Sequence, residues 1–255
     1  MLKLGIIQLA TAWHDKEKNF EKARYFIENN DADIFVLPEM FTTGFTSDVE
    51  LCAEDMGGIS TEWFKKTTQE TNKALMGSII ISLGEGKYCN RMIFAAPGCE
   101  LEYYDKRHLF RMGGEHKKYT GGEERKIFNY KGFRILPQIC YDLRFPVFSR
   151  NTNDYDLAIY CACWPEPRTY AWSALLRARA IENQCYLVGV NMVGEDPKLK
   201  YKGGSAVIDF AGNYLTQATD WAEDVKIVEL DIDALNGFKE NFPAWMDADN
   251  FEIKF

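Results

Sequence analysis

No stretch of about 18 or more apolar residues occurs in the chain, so a transmembrane span is not expected. The opening MLKLGIIQLATAWHDKEKNF lacks a long apolar core and a small-residue cleavage site, and does not read as a secretion signal. Positive charge is in deficit: the net charge of -8 argues against general nucleic-acid binding, which calls for a basic surface. Histidine is scarce, and the three present complete no zinc spacing around Cys161 and Cys163, so no metal site is expected. There is no low-complexity tract, no Gly/Ser or Pro-rich linker and no repeat of solenoid length, which favours one domain over residues 1–255. The cysteines, seven in all, are scattered without metal-type pairs; a reduced, cytoplasmic chain with six structural thiols fits them best.

What is present is an ordinary globular composition, 46% hydrophobic and 27% charged, in a chain long enough to bury a full core. Residues 2–9 read as a buried strand, and 16–29 as a helix with Phe20, Ala23, Phe26 and Ile27 on one face. A short strand at 34–37 ends at Pro38, and a helix near 61–72 precedes an apolar run at 74–83. Hairpins are expected around Pro97-Gly98 and Lys131-Gly132. Further strands are read at 156–161, 185–191, 205–210 and 225–230, with a helix over 168–184. Strands and helices mingle throughout, which predicts an α/β layered fold whose strand order periodicity cannot supply.

Three segments share one construction, an apolar run followed by a reactive side chain: IFVLPEMF with Glu39, LEYYDKRHLF with Lys106 and RILPQICYDLRFP with Cys140. Open α/β sheets collect ligands beyond the carboxyl ends of their strands. Each residue also has a plain reading: Glu39 could cap a turn, Lys106 lies in a charge run, and a cysteine after Ile139 could be a small core residue. Together they form a set, because amide hydrolysis through a covalent intermediate needs a nucleophile, a base and positive charge for the oxyanion. A neighbouring cation is expected to lower the thiol pKa, and a poorly hydrated carboxylate can act as base and then as acid. His14, His108 and His116 are isolated, and none can be tied to Cys140 by sequence.

In order and in spacing, 67 and then 34 residues, Glu39, Lys106 and Cys140 resemble the Glu–Lys–Cys triad of the nitrilase (carbon–nitrogen hydrolase) superfamily. A further family glutamate matches Glu115 in GGEHKKYTGG, and the likeness runs from IIQLA through RARAIENQCY to KGGSAVIDFAG. The resemblance implies a four-layer αββα sandwich, a homodimer or higher homo-oligomer, and no metal or organic cofactor. The helix after Cys140 and the one at 168–184 commonly lie at that dimer interface, although Trp172, Leu175, Leu176 and Ile181 could equally face the core. It also implies that Glu39 is the base, that Lys106 and the backbone N–H of Tyr141 hold the oxyanion, and that Glu115 holds Lys106 and the substrate in place.

Within the superfamily, DLRFPVFSRN, CWPEPRTYAW and NFPAWMDADNF resemble omega-amidases, which cleave the terminal amide of 2-oxo dicarboxylic acid monoamides. The partner is then a small molecule such as 2-oxoglutaramate, with neither nucleic acid nor membrane. Its carboxylate wants a cation, and Arg111, Lys117, Lys118, Arg144 and Arg168 lie near the motifs, with Arg168 preferred. Phe41, Phe110, Tyr119 and Trp164 are candidates to wall a small pocket, two of the four being assigned to it. A nitrilase, an aliphatic amidase or an N-carbamoyl amidohydrolase would keep the same triad and differ in substrate. A catalytically silent binding module would be free to lose members of the set. A redox or metal-binding thiol protein would show zinc or a reversible disulfide.

Overall fold

A computed structural model describes residues 1–253 of the chain. Its elements are β1 (Leu2–Gln8), α1 (Lys16–Glu28), β2 (Ile34–Val36), α2 (Val49–Cys52), α3 (Ile59–Thr71), β3 (Ala74–Gly84), β4 (Lys87–Ala95) and β5 (Glu102–Asp105). Then follow β6 (Phe128–Tyr130), β7 (Phe133–Ile139), α4 (Pro146–Ser149), β8 (Leu157–Ala162), α5 (Thr169–Asn183) and β9 (Tyr186–Asn191). The chain continues through β10 (Val193–Glu195), β11 (Lys200–Lys202), β12 (Ala206–Ile208), β13 (Tyr214–Gln217), β14 (Asp224–Leu230) and α6 (Ile232–Asn241).

Two six-stranded sheets result, ordered β14-β1-β2-β3-β4-β5 and β13-β12-β9-β8-β7-β6, with β10-β11 as a separate ribbon. Each has a parallel centre, β1-β2-β3 or β7-β8-β9, flanked by antiparallel strands. The period of two along each strand decides the layers. Leu2, Leu4, Ile6, Ile34 and Val36 of the first sheet meet Ile135, Leu157, Ile159, Val188 and Val190 of the second in one shared core. The opposite face of the first sheet, with Ile7, Phe35 and Leu75, is covered by Ala23 and Ile27 of α1 and Phe64 of α3. That of the second, with Leu136, Ala158, Tyr160 and Leu187, is covered by Trp172, Leu176 and Ala180 of α5. The order helix, sheet, sheet, helix is the four-layer αββα sandwich.

Local chemistry explains the boundaries. Asp15 caps α1 by accepting the N–H of Lys18 at 3.1 Å. Lys131 and Gly132 both take positive φ, 45° and 81°, the tight turn that right-handed strand twist favours between β6 and β7. At Gly189 on β9 a Cβ would stand 2.6 Å from Leu176 and 2.8 Å from Trp172, so glycine lets α5 press onto the sheet. On α5, Trp172 and Leu176 face the sheet, one of the two readings the sequence allowed, but Ile181 is exposed, because helical periodicity sets it on the side of α5 away from Trp172. Among the described residues, no helix is long and apolar enough to cross a membrane.

Candidate active site

Strands from both sheets end at one cleft. After β2, Leu37 extends the pairing by donating to Met76 O at 2.7 Å, and Pro38 then stops the ladder at Glu39. After β5, the N–H of Lys106 donates to Asn90 O at 2.9 Å, which carries its side chain to the same end of the sheet. β7 runs directly into Cys140, which opens a short helical turn, Cys140–Arg144. Met40 and Cys140 both hold positive φ, 44° and 47°, a conformation that costs a non-glycine residue about 1–3 kcal/mol and gathers at functional sites.

Lys106 is 1% exposed and shared between two carboxylates that are just as buried. Its Nζ donates to Glu39 Oε1 at 2.8 Å and to Glu115 Oε1 and Oε2 at 2.9 and 3.0 Å. Glu39 also accepts from Asn90 Nδ2 at 2.7 Å and from the backbone N–H of Cys163 at 2.8 Å. Glu115 accepts the N–H of Phe110 at 2.6 Å, so the loop after Lys106 closes around it. The Cys140 thiol lies in the fields of Glu39 and Lys106.

Burial pushes the Lys106 ammonium toward neutrality, but Glu115 and then Glu39 outweigh it and hold its pKa well above the usual lysine range. For Glu115 burial dominates and raises the carboxyl, with Lys106 offsetting part of that rise. Lys106 pulls the Cys140 thiol down, as expected of a neighbouring cation, but burial, and after it the charge of Glu39, outweigh it and lift the thiol well above an ordinary cysteine. A thiol so placed needs a base when it reacts, and a carboxylate stands beside it.

The cleft is small, about 40 Å³ of water-accessible volume, and Lys106, Cys140, Phe110, Tyr141, Trp164 and both Arg144 and Arg168 line it. Arg144 lies over the Trp164 ring at 4.8 Å and Arg168 over Phe110 at 5.3 Å. Neither forms an ion pair with a described acidic side chain. Arg111, Lys117 and Lys118 are exposed, and Lys118 pairs with Glu50 at 3.4 Å.

Two of the four aromatic candidates are elsewhere. Phe41 is fully buried toward the helices, its ring 5.5 Å from Trp63 and 5.7 Å from Phe64, because the turn at Met40 carries it away from the cleft. Tyr119 packs behind Met40, and its hydroxyl donates to Thr46 O at 2.6 Å. Phe45, Cys163, Leu199 and Tyr201 line the cleft unannounced by the sequence. Asn90 carried one legible signal, a polar residue inside the apolar strand YCNRMIFA. His108, read as isolated, lies 2.8 Å from Asp142, two residues past Cys140. Cys163, counted among the structural thiols, is at the cleft with its Sγ 3.2 Å from Glu39 O. All seven cysteines are unpaired, and among the described residues no cluster of His, Cys, Asp or Glu is placed to hold a metal ion.

Comparison with known proteins gives the family. The carbon-nitrogen hydrolase family model matches residues 3–240. The Omega-amidase YafV of Escherichia coli (strain K12) is 43% identical, over 99% of this chain and 98% of that protein. The 2-oxoglutaramate amidase of Bacillus subtilis (strain 168) is 31% identical over 96% of each. The crystal structure of a CN-hydrolase superfamily protein from Xanthomonas campestris, with an arsenic adduct in its active site, superposes with a TM-score of 0.95 at 40% identity, covering 99% of both chains. The chain therefore belongs to the carbon–nitrogen hydrolase family, the nitrilase superfamily.

Proposed function

We propose that the chain hydrolyses the terminal amide of a 2-oxo dicarboxylic acid monoamide, such as 2-oxoglutaramate or 2-oxosuccinamate, to the acid and ammonia. The protein is an amidase; the observation that favours this substrate is the pair of guanidiniums, Arg144 and Arg168, in a small cleft beside Cys140. An aliphatic amide or a nitrile leaves two such cations idle, whereas the far carboxylate of an oxo acid gives them a bidentate partner. Names of relatives, Omega-amidase and 2-oxoglutaramate amidase, point the same way. Phe110 and Trp164 hold the arginines and keep water away.

In this reading Glu39 removes the Cys140 proton as sulfur attacks the amide carbon. Lys106 and the N–H of Tyr141 receive the oxyanion; Tyr141 sits at the start of a helical turn, where the first N–H groups have no partner within the turn. Each such contact is worth about 3–4 kcal/mol in the transition state. The proton on Glu39 passes to the departing nitrogen, the C–N bond breaks, and ammonia leaves a thioester on Cys140. Water then attacks with Glu39 as base, the C–S bond breaks, and thiol and acid are released. Glu115, bidentate on Lys106, fixes the ammonium throughout.

The reading includes a homodimer or larger homo-oligomer in the cytoplasm. Its supports are the unpaired thiols, which suit a reducing compartment, and exposed Val147, with Phe251 across the same surface hollow. Ammonia release from 2-oxoglutaramate, set against simple amides, nitriles and N-carbamoyl amino acids, tests the substrate. Faster release from a neutral amide than from the oxo acid would refute it.

A further inference from the structure

The carboxylate of Asp142 is fully buried, and its contacts join the two arms of the site. Oδ2 accepts the Tyr104 hydroxyl at 2.9 Å and the N–H of Ile139 at 3.0 Å. Oδ1 accepts the N–H of His108 at 2.9 Å and stands 2.8 Å from His108 Nδ1. Tyr104 is two residues before Lys106 and His108 two residues after it, while Ile139 and Asp142 flank Cys140. One carboxylate therefore grips the lysine segment on both sides and ties it to the cysteine turn. The Tyr104 hydroxyl also accepts the N–H of Arg107 at 3.2 Å, and the His108 ring stacks on Phe145 at 4.0 Å.

Lys106 follows β5 of the first sheet and Cys140 follows β7 of the second. Backbone ladders fix neighbours within each sheet, but they leave the relation across the sandwich to side chains. Apolar packing there is non-directional, whereas a buried carboxylate with several donors is not. An ionised carboxylate is acceptor-only with about four lone-pair sites, which suits these donors; an amide would turn an N–H against one of them.

We propose that Asp142, with His108 and Tyr104, forms a positioning clasp that sets the separation of the Lys106 ammonium and the Cys140 thiol. The clasp lets both meet one substrate carbonyl, and it rests on the reading of Cys140 as nucleophile and Lys106 as oxyanion partner. A misplacement of about 1 Å in such a pair can cost on the order of a hundredfold in rate.

The test compares His108→Leu, which keeps an apolar contact with Phe145 and loses the side-chain donor, with His108→Asn, which offers an N–H toward Asp142. His108 is only half-buried, so both variants should fold. Turnover of 2-oxoglutaramate is measured per Cys140 thiol, counted from alkylation of the Cys140 peptide. His108→Leu is expected to lower kcat about tenfold or more with KM within about twofold, and His108→Asn to return kcat to within about threefold of the parent. Asp142→Asn should fall further; if it does not fold, the His108 pair decides. Full kcat in His108→Leu, or equal loss in both His108 variants, overturns the clasp. Cys140→Ala run alongside separates the failures: activity there removes the nucleophile reading, while inactivity there with full activity in His108→Leu removes the clasp alone.

Discussion

Replacing Lys106 by methionine keeps the length of the side chain and removes its charge. Glu39 would retain donors from Asn90 and Cys163, and Glu115 one from Phe110. Two carboxylates, 0% and 2% exposed, would then face each other without a cation. Breaking a buried ion pair in this way costs about 3–5 kcal/mol, because the stranded charge is not resolvated. In a chain of this size that lowers Tm by roughly 6–20 °C. The sign with pH is fixed. Burial already raises the Glu115 carboxyl and Lys106 offsets part of that rise; without Lys106 it lies further above its unfolded value, so folding takes up a proton and the deficit shrinks as pH falls through the raised pKa. Adding Glu115→Gln to Lys106→Met removes one anion and should recover part of the stability but none of the activity. Thermal and urea unfolding of parent, single and double variants at pH 7.5 and 5.5 measures all of this. A Lys106→Met protein as stable as the parent at pH 7.5, or a deficit unchanged at pH 5.5, would refute the reasoning.

Glu39→Gln should abolish amide turnover while Cys140 alkylates more readily at a given pH. The negative charge that helps lift the thiol is gone and Lys106 remains; slower alkylation than the parent would count against this. Arg168→Ala should raise KM for 2-oxoglutaramate about 10- to 150-fold, the loss of a charged hydrogen bond worth about 1.5–3 kcal/mol, and leave a neutral amide unaffected; steady-state kinetics on both substrates decides it. Gly189→Ala should destabilise by about 1–3 kcal/mol, since the new methyl meets Leu176 and Trp172 well inside contact distance; unchanged urea unfolding would show that α5 can shift.

The strands were legible where apolar runs are bounded by turn residues, as at Leu2–Gln8, Phe133–Ile139 and Leu157–Ala162. Their order was not, because β1 neighbours β14 from the far end of the chain and no local pattern encodes that pairing. Helix α6 went unread: Ile232, Leu235 and Phe238 do recur on one face, but the helix is short and Gly237 sits in its middle. Strands β10, β11 and β13 are short and only partly buried, so alternation is faint. At the site, Glu39, Lys106 and Cys140 stood out because each polar side chain ends an apolar run. The N–H of Cys163 did not, since a backbone group leaves no mark in a sequence. Phe41 and Tyr119 misled because adjacency along the chain is not adjacency around a cleft: one turn at Met40 separates Glu39 from Phe41.

The account rests on acyl transfer through Cys140, and trapping with hydroxylamine tests it most directly. A thioester partitions between water and the added nucleophile, so the parent protein turning over 2-oxoglutaramate should form the hydroxamate at the expense of the acid. Cys140→Ala should form neither hydroxamate nor ammonia. Ammonia released by Cys140→Ala at the parent rate, or acid from the parent with no hydroxamate at any hydroxylamine concentration, would contradict it.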